Sequence, residues 1–278
     1  SVYVKGTVVI GEGEMDEAPM LYIGEKVGSM RGPKVDIAVD PLEGTEIVAK
    51  GLGNAFSVIA IAEAGCLLHA PDMYMEKLAV GPALAGKLQL SDPVEVTLEK
   101  AARILNKPVS DLTVMILERE RHRDILQKLR AAGVRIKFLN DGDVAGAMAP
   151  AFPATGVDLY MGSGGAPEGV LAAAALRCLD GEIQGRLLPQ NDEEYNRCIR
   201  MGIVEPHKIL YMTDMIGSKD VIFAATGITS GDFLQGVRFL PDQRAETHSL
   251  SMRAATKTIR EIKTIHFLPN RALDKQTS

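Results

Sequence analysis

The sequence predicts an α/β protein of mixed α+β content, in which helices cover a parallel or mixed sheet. From Val109 onward, short β-branched and apolar runs alternate with longer amphipathic runs, the pattern of repeated strand–helix units. Before residue 70, the apolar runs end at turns that contain glycine, proline and acidic residues, as strands do. The length of 278 residues allows one large or two ordinary domains with a substantial core.

Composition and charge argue against several classes of protein. The net charge is −5 and no long block of Lys or Arg occurs, which argues against a nucleic-acid or membrane-surface partner. No run approaches the roughly 18 apolar residues of a membrane span. Three dispersed cysteines without a CxxC motif favour neither a disulfide framework nor a zinc knuckle. We therefore expect a cytoplasmic protein, and because Ser1 is not an initiator Met we expect further residues before it.

The first elements lead to acidic residues. Val2–Ile10 reads as a strand and meets Gly11–Glu14, where two glycines expose two carboxylates. A plain β-turn with solvated glutamates explains the same letters. Asp16–Gly28 is predicted to be a helix with Pro19 near its first turn.

A second acidic motif follows the apolar run Val35–Ala38. We expect this strand to stop at Asp40, because Pro41 lacks a backbone donor. The turn would then bring the Asp40 and Glu43 carboxylates to one side with the Thr45 hydroxyl, an oxygen-rich set that suits a hard cation. The alternative is a plain turn in which Asp40 caps Leu42 or Glu43 and Thr45 begins a helix.

The middle of the chain contains a candidate domain boundary. Ala55–Ala62 and Cys66–His69 resemble two antiparallel strands joined by a tight turn. Val94–Leu105 is an amphipathic helix, and Asn106–Pro108 breaks it. This break predicts two parts, an α+β half over 1–108 and an α/β half over 109–278.

Candidate sugar and phosphate contacts lie on both sides of that boundary. Tyr74 and Lys77 could reach a sugar or phosphate, although a half-buried tyrosine that packs its ring is the more common case. Thr113–Leu117 reads as a strand, after which Arg119 and Arg121 point the same way if the segment is extended. Two guanidinium groups on one face suit a phosphate; salt-bridged surface arginines are the competing interpretation.

The next two strands also end in polar motifs. Asp124–Ala132 is a predicted helix and Val134–Leu139 a strand, followed by Asp141 and Asp143, which could accept hydrogen bonds from sugar hydroxyls. An Asp-Gly turn that caps a helix over Val144–Met148 explains the same residues.

The strand Val157–Met161 precedes a glycine-rich stretch. Gly162–Gly169 is predicted to be an anion-binding loop that leads into a helix ending near Gly181, and Glu168 within it could hold a cation. The dinucleotide and nucleotide fingerprints both fail here. The remaining predicted elements are a helix over Asn191–Met201 and strands over Val221–Thr226, Arg238–Leu240, Thr247–Met252 and Thr258–Phe267.

Acidic groups and arginines thus recur at the carboxyl ends of predicted strands, where α/β sheets bind ligands. Carboxylates for metals with cationic groups for phosphates are the components of a metal-dependent phosphatase. The motif Asp40–Thr45 with Gly11–Glu14 resembles the lithium-sensitive phosphatase superfamily of inositol monophosphatases and fructose-1,6-bisphosphatases. The whole chain is most similar to the class II, bacterial-type fructose-1,6-bisphosphatases, through motifs at Gly11–Gly28, Val35–Thr45, Ala70–Gly81, Arg119–His122, Asn140–Ala145, Gly162–Gly169 and Ala224–Thr229.

The resemblance implies a layered αβαβα sandwich, a homo-oligomer (dimer or tetramer), and Mg²⁺- or Mn²⁺-dependent hydrolysis of the 1-phosphate of fructose 1,6-bisphosphate, a step of gluconeogenesis. The implied metal ligands are Glu12, Asp40, Glu43 and Glu168. The implied catalytic residues are Thr45, Asp40 and Glu43. The implied substrate contacts are Glu43, Gly44, Thr45, Tyr74, Arg119, Glu120, Arg121, Asp141, Gly142, Asp143 and Gly165.

Two departures from the family pattern affect this interpretation. Family members carry an N-terminal helical segment with one more Asp ligand, which this sequence lacks, and Glu120 stands where many relatives have Pro. Sedoheptulose 1,7-bisphosphate or an inositol or nucleotide monophosphate are alternative substrates, although two arginines favour a bisphosphate. A catalytically silent sugar-phosphate sensor is the alternative from another class.

Overall fold

The structure is a computed structural model that describes residues 2–13 and 19–268. The strands are β1 Lys5–Ile10, β2 Lys26–Val27, β3 Lys34–Glu43, β4 Phe56–Glu63, β5 Tyr74–Val80, β6 Thr113–Leu117, β7 Arg135–Leu139, β8 Leu159–Gly165, β9 Glu182–Leu187, β10 Val221–Gly227, β11 Arg238–Leu240, β12 Arg244–Arg253 and β13 Thr258–Phe267. The helices are α1 Thr45–Ala49, α2 Val94–Leu105, α3 Arg123–Ala132, α4 Asp143–Met148, α5 Ala166–Cys178, α6 Asp192–Arg200 and α7 Met212–Met215, and short 3₁₀ turns span Val109–Asp111, Glu120–His122, Ala149–Ala151 and Pro153–Thr155.

These strands form two mixed sheets. The larger sheet has the order β11-β12-β10-β4-β3-β1-β2, with β13 on the other edge of β12, and only the β1–β3 pairing is parallel among its described strands. The smaller sheet has the order β7-β6-β8-β5-β9, in which β6 runs parallel to β7 and β8 while β5 is antiparallel to both its neighbours. The predicted mixed sheet covered by helices is therefore confirmed.

Helix α5 lies in the core between the two sheets. Apart from Glu168 in its first turn and Arg177 in its last, its sequence is apolar on every side, as expected for a helix without a solvent face. It packs on strands of both sheets. The amphipathic helices α2 and α3 cover the opposite face of the smaller sheet through Leu98, Ala101 and Leu129. The described residues thus form sheet, helix, sheet and helix layers, consistent with the predicted layered sandwich. No helix among them is long and apolar enough to cross a membrane.

Four predicted elements have the predicted bounds, namely Val94–Leu105, Thr113–Leu117, Arg238–Leu240 and Thr258–Phe267. The antiparallel pairing predicted for the terminal strands is confirmed as well. The helix predicted over Asp16–Gly28 falls partly outside the described residues, and its described part contains β2 instead. There the chain folds back on the end of β1, because the N–H of Glu12 donates to Leu21 O at 3.0 Å and that of Ile23 to Gly13 O at 2.8 Å.

The prediction that the central strand stops at Asp40 is wrong. Strand β3 continues to Glu43, with an irregularity between the pairs Asp40↔Val58 and Glu43↔Phe56. Pro41 lies within this bulge, where its missing N–H removes no ladder bond.

The predicted hairpin of Ala55–Ala62 with Cys66–His69 is also wrong, because β4 pairs with β3 and β10. Instead, the Asp36 carboxylate accepts hydrogen bonds from the N–H groups of Gly65, Cys66 and Leu67 at 2.7, 3.1 and 3.3 Å. These bonds stabilise the turn and lead the chain away from β4. The boundary at 106–108 stays a prediction; β5, which precedes it, pairs with β8 and β9.

Candidate active site

Three carboxylates from distant parts of the chain converge at the end of β3. One oxygen each of Asp40, Glu43 and Glu168 lies within 4.8 Å of the others, and we call these residues the carboxylate group. Asp40 and Glu43 flank the β3 bulge, and Glu168 lies in the first turn of α5. Oxygen ligands of a hard cation at about 2.0–2.6 Å lie up to roughly 4–5 Å from one another, so this spacing fits one ion.

Local backbone geometry sets the positions of Asp40 and Glu43. The Leu42 N–H donates to Asp40 Oδ1 at 2.9 Å, so the capping turn considered as an alternative is present together with the cluster. The Val144 N–H, at the start of α4, donates to Glu43 Oε1 at 2.9 Å. Gly44 then has φ 88°, a left-handed conformation that favours glycine, and Thr45 begins α1 as that alternative predicted.

The charge of the carboxylate group is compensated only in part within the protein. Burial raises the pKa of Glu43 well above its usual value, and the charges of Glu168 and Asp40 raise it further. Burial also raises the pKa of Glu168, which the Lys77 charge partly opposes. Glu168 Oε2 is buried and has no hydrogen-bond partner among the described residues. A divalent cation fits these donors because it would satisfy the orphaned oxygen and offset the carboxylate repulsion.

Two cavities meet at this group, and Glu168 lines both. A cavity of about 310 Å³ is lined by Glu12, Asp40 and Asp72 among others. Glu12 therefore shares a cavity with two predicted ligands, although it is not a member of the carboxylate group among the described residues. The other cavity, about 300 Å³, is lined by Glu43, Glu46, Tyr74, Leu117, Arg119, Arg121, Asp141, Asp143, Gly164, Gly165 and Glu168, and we call it the arginine cavity.

Arg119 and Arg121 both line the arginine cavity, but the backbone conformation that orients them differs from the predicted one. The segment is not extended, because Glu120–His122 forms a 3₁₀ turn. The Arg121 guanidinium lies 4.5 Å from the centre of the Tyr74 ring, a cation–π arrangement, so the Tyr74 ring packs as the alternative predicted. Arg119 Nη2 donates to Asp141 Oδ1 at 3.3 Å, and Arg119 Nη1 donates to Asn140 O at 2.5 Å.

A buried histidine and a serine hold Arg121 in place. Arg121 Nε donates to Ser163 Oγ at 3.0 Å and its Nη2 donates to Ser163 O at 2.8 Å. The Ser163 N–H donates to His122 Nε2 at 2.8 Å, so His122 Nδ1 carries the proton that it donates to Leu117 O at 2.8 Å. Burial lowers the pKa of His122, which favours this neutral ring.

Asp143 belongs to a compensated network beside the carboxylate group. Lys77 Nζ and Tyr160 Oη both donate to its carboxylate, and Lys77 Nζ also donates to Gly165 O at 2.6 Å. Lys77 is only 1% exposed, so it serves this network and not a ligand in solution. Burial raises the pKa of Tyr160 well above its usual value, so the phenol stays protonated. We call Lys77, Asp143 and Tyr160 the lysine network.

The glycine-rich stretch is a strand end, not the predicted loop. Strand β8 runs to Gly165 and α5 begins at Ala166. A Cβ at Gly164 would overlap the Asp143 carboxylate, and one at Gly165 would overlap the Glu168 carboxylate. These glycines therefore make room for two buried carboxylates.

Gly142, Thr45 and Glu120 complete the set of predicted substrate contacts, and their surroundings differ. Gly142 caps α4 with φ 87°. Thr45 is exposed beside Glu43, and its hydroxyl makes no hydrogen bond to a described carboxylate. Glu120 pairs with Arg123 and lines a separate surface depression.

Sequence reasoning assigned no role to His122, Ser163, Tyr160 or Asp72. The sequence offered one indication for His122 and Ser163, namely that both are polar residues next to predicted motifs. The burial of Tyr160 and its contact with Asp143 depend on tertiary packing, which leaves no local pattern in the sequence.

Comparison with known proteins agrees with this arrangement. Residues 1–266 match the family model described as "Bacterial fructose-1,6-bisphosphatase, glpX-encoded". The chain is 48% identical over 288 aligned positions to the Fructose-1,6-bisphosphatase 1 class 2 of Escherichia coli strain K12, an alignment that covers 99% of this chain and 85% of that protein. It is 45% identical over 287 positions to the D-fructose 1,6-bisphosphatase class 2/sedoheptulose 1,7-bisphosphatase of Synechococcus sp. strain JA-3-3Ab, covering 95% of this chain and 82% of that protein. Because the family model matches residues 1–266 and a relative aligns with 99% of the chain at 48% identity, the chain belongs to the bacterial, class 2 fructose-1,6-bisphosphatase family.

Proposed function

We propose that this chain hydrolyses the 1-phosphate of fructose 1,6-bisphosphate to give fructose 6-phosphate and inorganic phosphate, with Mg²⁺ or Mn²⁺ as cofactor. The observation that carries the proposal is the carboxylate group, with its orphaned Glu168 oxygen, at the border of a cavity lined by two arginines. Family membership supports the reaction and the sugar bisphosphate as the substrate class.

Asp40, Glu43 and Glu168 would hold the cation, and Glu12 would contribute from the neighbouring cavity. When bound, the cation supplies electrostatic stabilisation of the phosphoryl oxygens and lowers the pKa of the attacking water. The carboxylates also exclude the substrate phosphate from direct contact with themselves, because like charges repel. Their charge would therefore disfavour a phosphate beside them unless a cation were bound.

Arg119 and Arg121 hold the distal 6-phosphate. Arg121 presents a guanidinium fixed by Ser163 and Tyr74, so little side-chain freedom is lost on binding. Asp141, Gly142, Asp143 and Gly165 contact or shape the sugar subsite, and Gly44 borders it. Glu120, the remaining predicted contact, pairs with Arg123 in a separate depression and lies outside this subsite. Holding both ends of the substrate positions the 1-phosphate for in-line attack without a phosphoenzyme.

Thr45 positions the attacking water. Replacing Thr45 with Ala should lower kcat by about 10²–10⁴-fold, the usual range for a group that positions a proton transfer. Thr45→Ser is the matched control, because it keeps the hydroxyl and should retain most of the activity. Phosphate release from fructose 1,6-bisphosphate measures both variants, and an unchanged kcat in Thr45→Ala removes Thr45 from the mechanism.

Sedoheptulose 1,7-bisphosphate is the second candidate substrate, favoured by the name of the Synechococcus relative and by the two arginines that suit a distal phosphate. Comparing kcat/KM for the two sugar bisphosphates, an inositol monophosphate and a nucleotide monophosphate orders these substrates. Tight sugar-phosphate binding without cation-dependent phosphate release would instead identify a sensor. We further propose a cytoplasmic homo-oligomer that acts on this small molecule without a nucleic-acid or membrane partner.

A further inference from the structure

Strand β13 forms one edge of the larger sheet. All 10 of its residues pair with β12, from Thr258↔Arg253 to Phe267↔Arg244. Within residues 2–13 and 19–268, no other strand pairs with β13. Its outer edge therefore presents backbone N–H and C=O groups that a further strand could bond, the feature that makes exposed edges pairing sites.

One face of β13 begins next to the apolar core and carries three exposed apolar side chains. Residues directly opposite in an antiparallel pair lie on the same face, and Ile259 is opposite Met252, which is fully buried. Ile259, Ile265 and Phe267 share that face with the charged Glu261 and Lys263, and the three apolar side chains are 51, 52 and 74% exposed. The covering layer thus ends one strand before the sheet does, and apolar surface remains uncovered.

The sequence of β13 is complementary to itself when read in the opposite direction. In an antiparallel register centred on Ile262, Ile262 faces its own copy and Ile259 faces Ile265. In the same register Glu261 of each strand faces Lys263 of the other. Apolar residues therefore meet apolar residues, and opposite charges meet twice, arrangements that stabilise cross-strand pairs.

We propose that two copies of this chain associate through their β13 edges, antiparallel and centred on Ile262, so that the two larger sheets become one continuous sheet. A twofold axis through the centre of the strand makes the interface isologous, as in most closed dimers. This inference rests on the homo-oligomer proposed above and gives it a surface. It does not depend on the proposed hydrolysis.

The charges on β13 are complementary to those of a second copy of the same strand. Among the described residues Glu261 forms no ion pair, whereas Lys263 Nζ lies 2.8 Å from Glu246 Oε2 on the neighbouring strand. Glu246 already receives Arg238 Nη1 at 3.3 Å. In the dimer Lys263 would lie between Glu246 and Glu261 of the partner subunit, which gives each carboxylate a cation.

Cysteine cross-linking tests the register directly. Opposite Cα atoms in antiparallel strands are about 4.5–5.5 Å apart, within the disulfide range of about 4.4–6.8 Å. Ile262→Cys, made in a Cys66→Ser background, should therefore give a covalent dimer under mild oxidation. Ile259→Cys is the matched control on the same strand, because its two copies would lie about 20 Å apart and should stay unlinked. No covalent dimer from Ile262→Cys, or equal dimer from both variants, overturns the register.

Charge reversal tests the interface without cysteine chemistry. Glu261→Lys alone and Lys263→Glu alone each place like charges opposite one another, so each should raise the dimer dissociation constant. An equimolar mixture of the two variants restores opposite charges in a heterodimer, as does the double variant Glu261→Lys/Lys263→Glu in a homodimer. Glu99→Lys, on exposed α2, is the control that should leave the dimer unchanged.

Light scattering after size exclusion gives the molar mass, and phosphate release is measured in parallel. A monomeric wild-type protein overturns the proposal, including the case where residues 269–278 cover the edge. A dimer whose molar mass and dissociation constant are the same in the parent and in the β13 charge variants overturns it as well. A β13-dependent dimer that lacks hydrolytic activity would contradict the proposed function and leave the interface standing.

Discussion

The carboxylate group and the lysine network are neighbouring buried acidic sites with opposite states of compensation. Asp143 receives hydrogen bonds from Lys77 and Tyr160, so its charge is balanced inside the protein. Glu43 and Glu168 repel each other, and one Glu168 oxygen has no partner among the described residues. A buried charge without a partner is costly to the fold, and the protein tolerates it where a ligand supplies the compensation.

The difference separates a structural acid from a ligand-binding acid on physical grounds. Sequence reasoning assigned Asp143 to sugar hydroxyls and Glu168 to a cation, so it gave both acids a ligand-binding role. The structure distinguishes them by what each carboxylate contacts. The lysine network is expected to govern stability, and the carboxylate group is expected to govern cation binding and turnover.

The largest expected effect comes from breaking the lysine network. Lys77→Met leaves the Asp143 charge buried beside an apolar side chain, which should lower the free energy of unfolding by about 3–5 kcal/mol. The control is Lys257→Met, which breaks the exposed pair with Asp180 and should cost at most about 1 kcal/mol. Denaturant unfolding of chelator-treated protein measures both, and equal losses would show that the network is not structural.

Neutralising a member of the carboxylate group should lower activity strongly and leave stability unchanged or raised, the opposite of the Lys77→Met result. Glu168→Gln removes a cation ligand, so kcat/KM should fall by at least about 100-fold, since even outer partners of metal sites often account for 10–100-fold. Chelator-treated Glu168→Gln should be as stable as the parent or more so, because an unpartnered buried charge is lost. Glu99→Gln on α2 is the surface control. If Glu168→Gln lost much of its stability and kept full activity, the carboxylate group would be the structural site, contrary to this account.

Arg121, in the arginine cavity, adds a third case to the comparison, because it is proposed to bind substrate without holding the cation. Arg121→Ala should raise KM by about 10–100-fold, the equivalent of one or two charge-assisted hydrogen bonds, with a smaller change in kcat. Arg121→Lys keeps the charge but loses the planar contacts with Ser163 and Tyr74, so an intermediate KM is expected. Steady-state kinetics separates these outcomes, and a selective fall in kcat would contradict this role.

The smallest expected effect is a pH dependence of stability. The folded pKa values of Glu43 and Glu168 exceed the usual 4.5 of the unfolded chain, so the folded protein binds more protons above pH 4.5. Their contribution to stability is therefore present below that pH and is lost as the pH rises through the folded pKa values. Thermal unfolding of chelator-treated protein between pH 5 and 8 should show this loss relative to Glu43→Gln/Glu168→Gln. If the unfolding temperatures of parent and variant change with pH in the same way, the two glutamates do not cause this pH dependence.

Local patterns predicted much of the fold and less of the site. Val94–Leu105 was predictable because one apolar face repeats with helical spacing. Pro41 misled because its effect depends on a bulge formed with β4, a partner remote in sequence. The glycines before α5 resembled a loop, yet their small size is required by the Asp143 and Glu168 carboxylates, which pack against them only in the folded protein.

The candidate site shows the same limit. The acidic types at Asp40, Glu43 and Glu168 predicted a cation site, and their convergence in the structure agrees with that prediction. The compensation of Asp143 by Lys77 was not predictable, because their strand and helix become neighbours only through tertiary packing. The substrate and metal roles of the individual residues stay predictions until the variants are measured.

The central claim is that Asp40, Glu43 and Glu168 bind one divalent cation. Calorimetric titration of Mn²⁺ into chelator-treated, desalted protein tests it most directly, with Glu168→Gln and the cavity variant Asp141→Asn measured alongside. The account predicts saturable binding by the parent and by Asp141→Asn, and at least about tenfold weaker binding by Glu168→Gln. Equal Mn²⁺ affinity in all three proteins would contradict it.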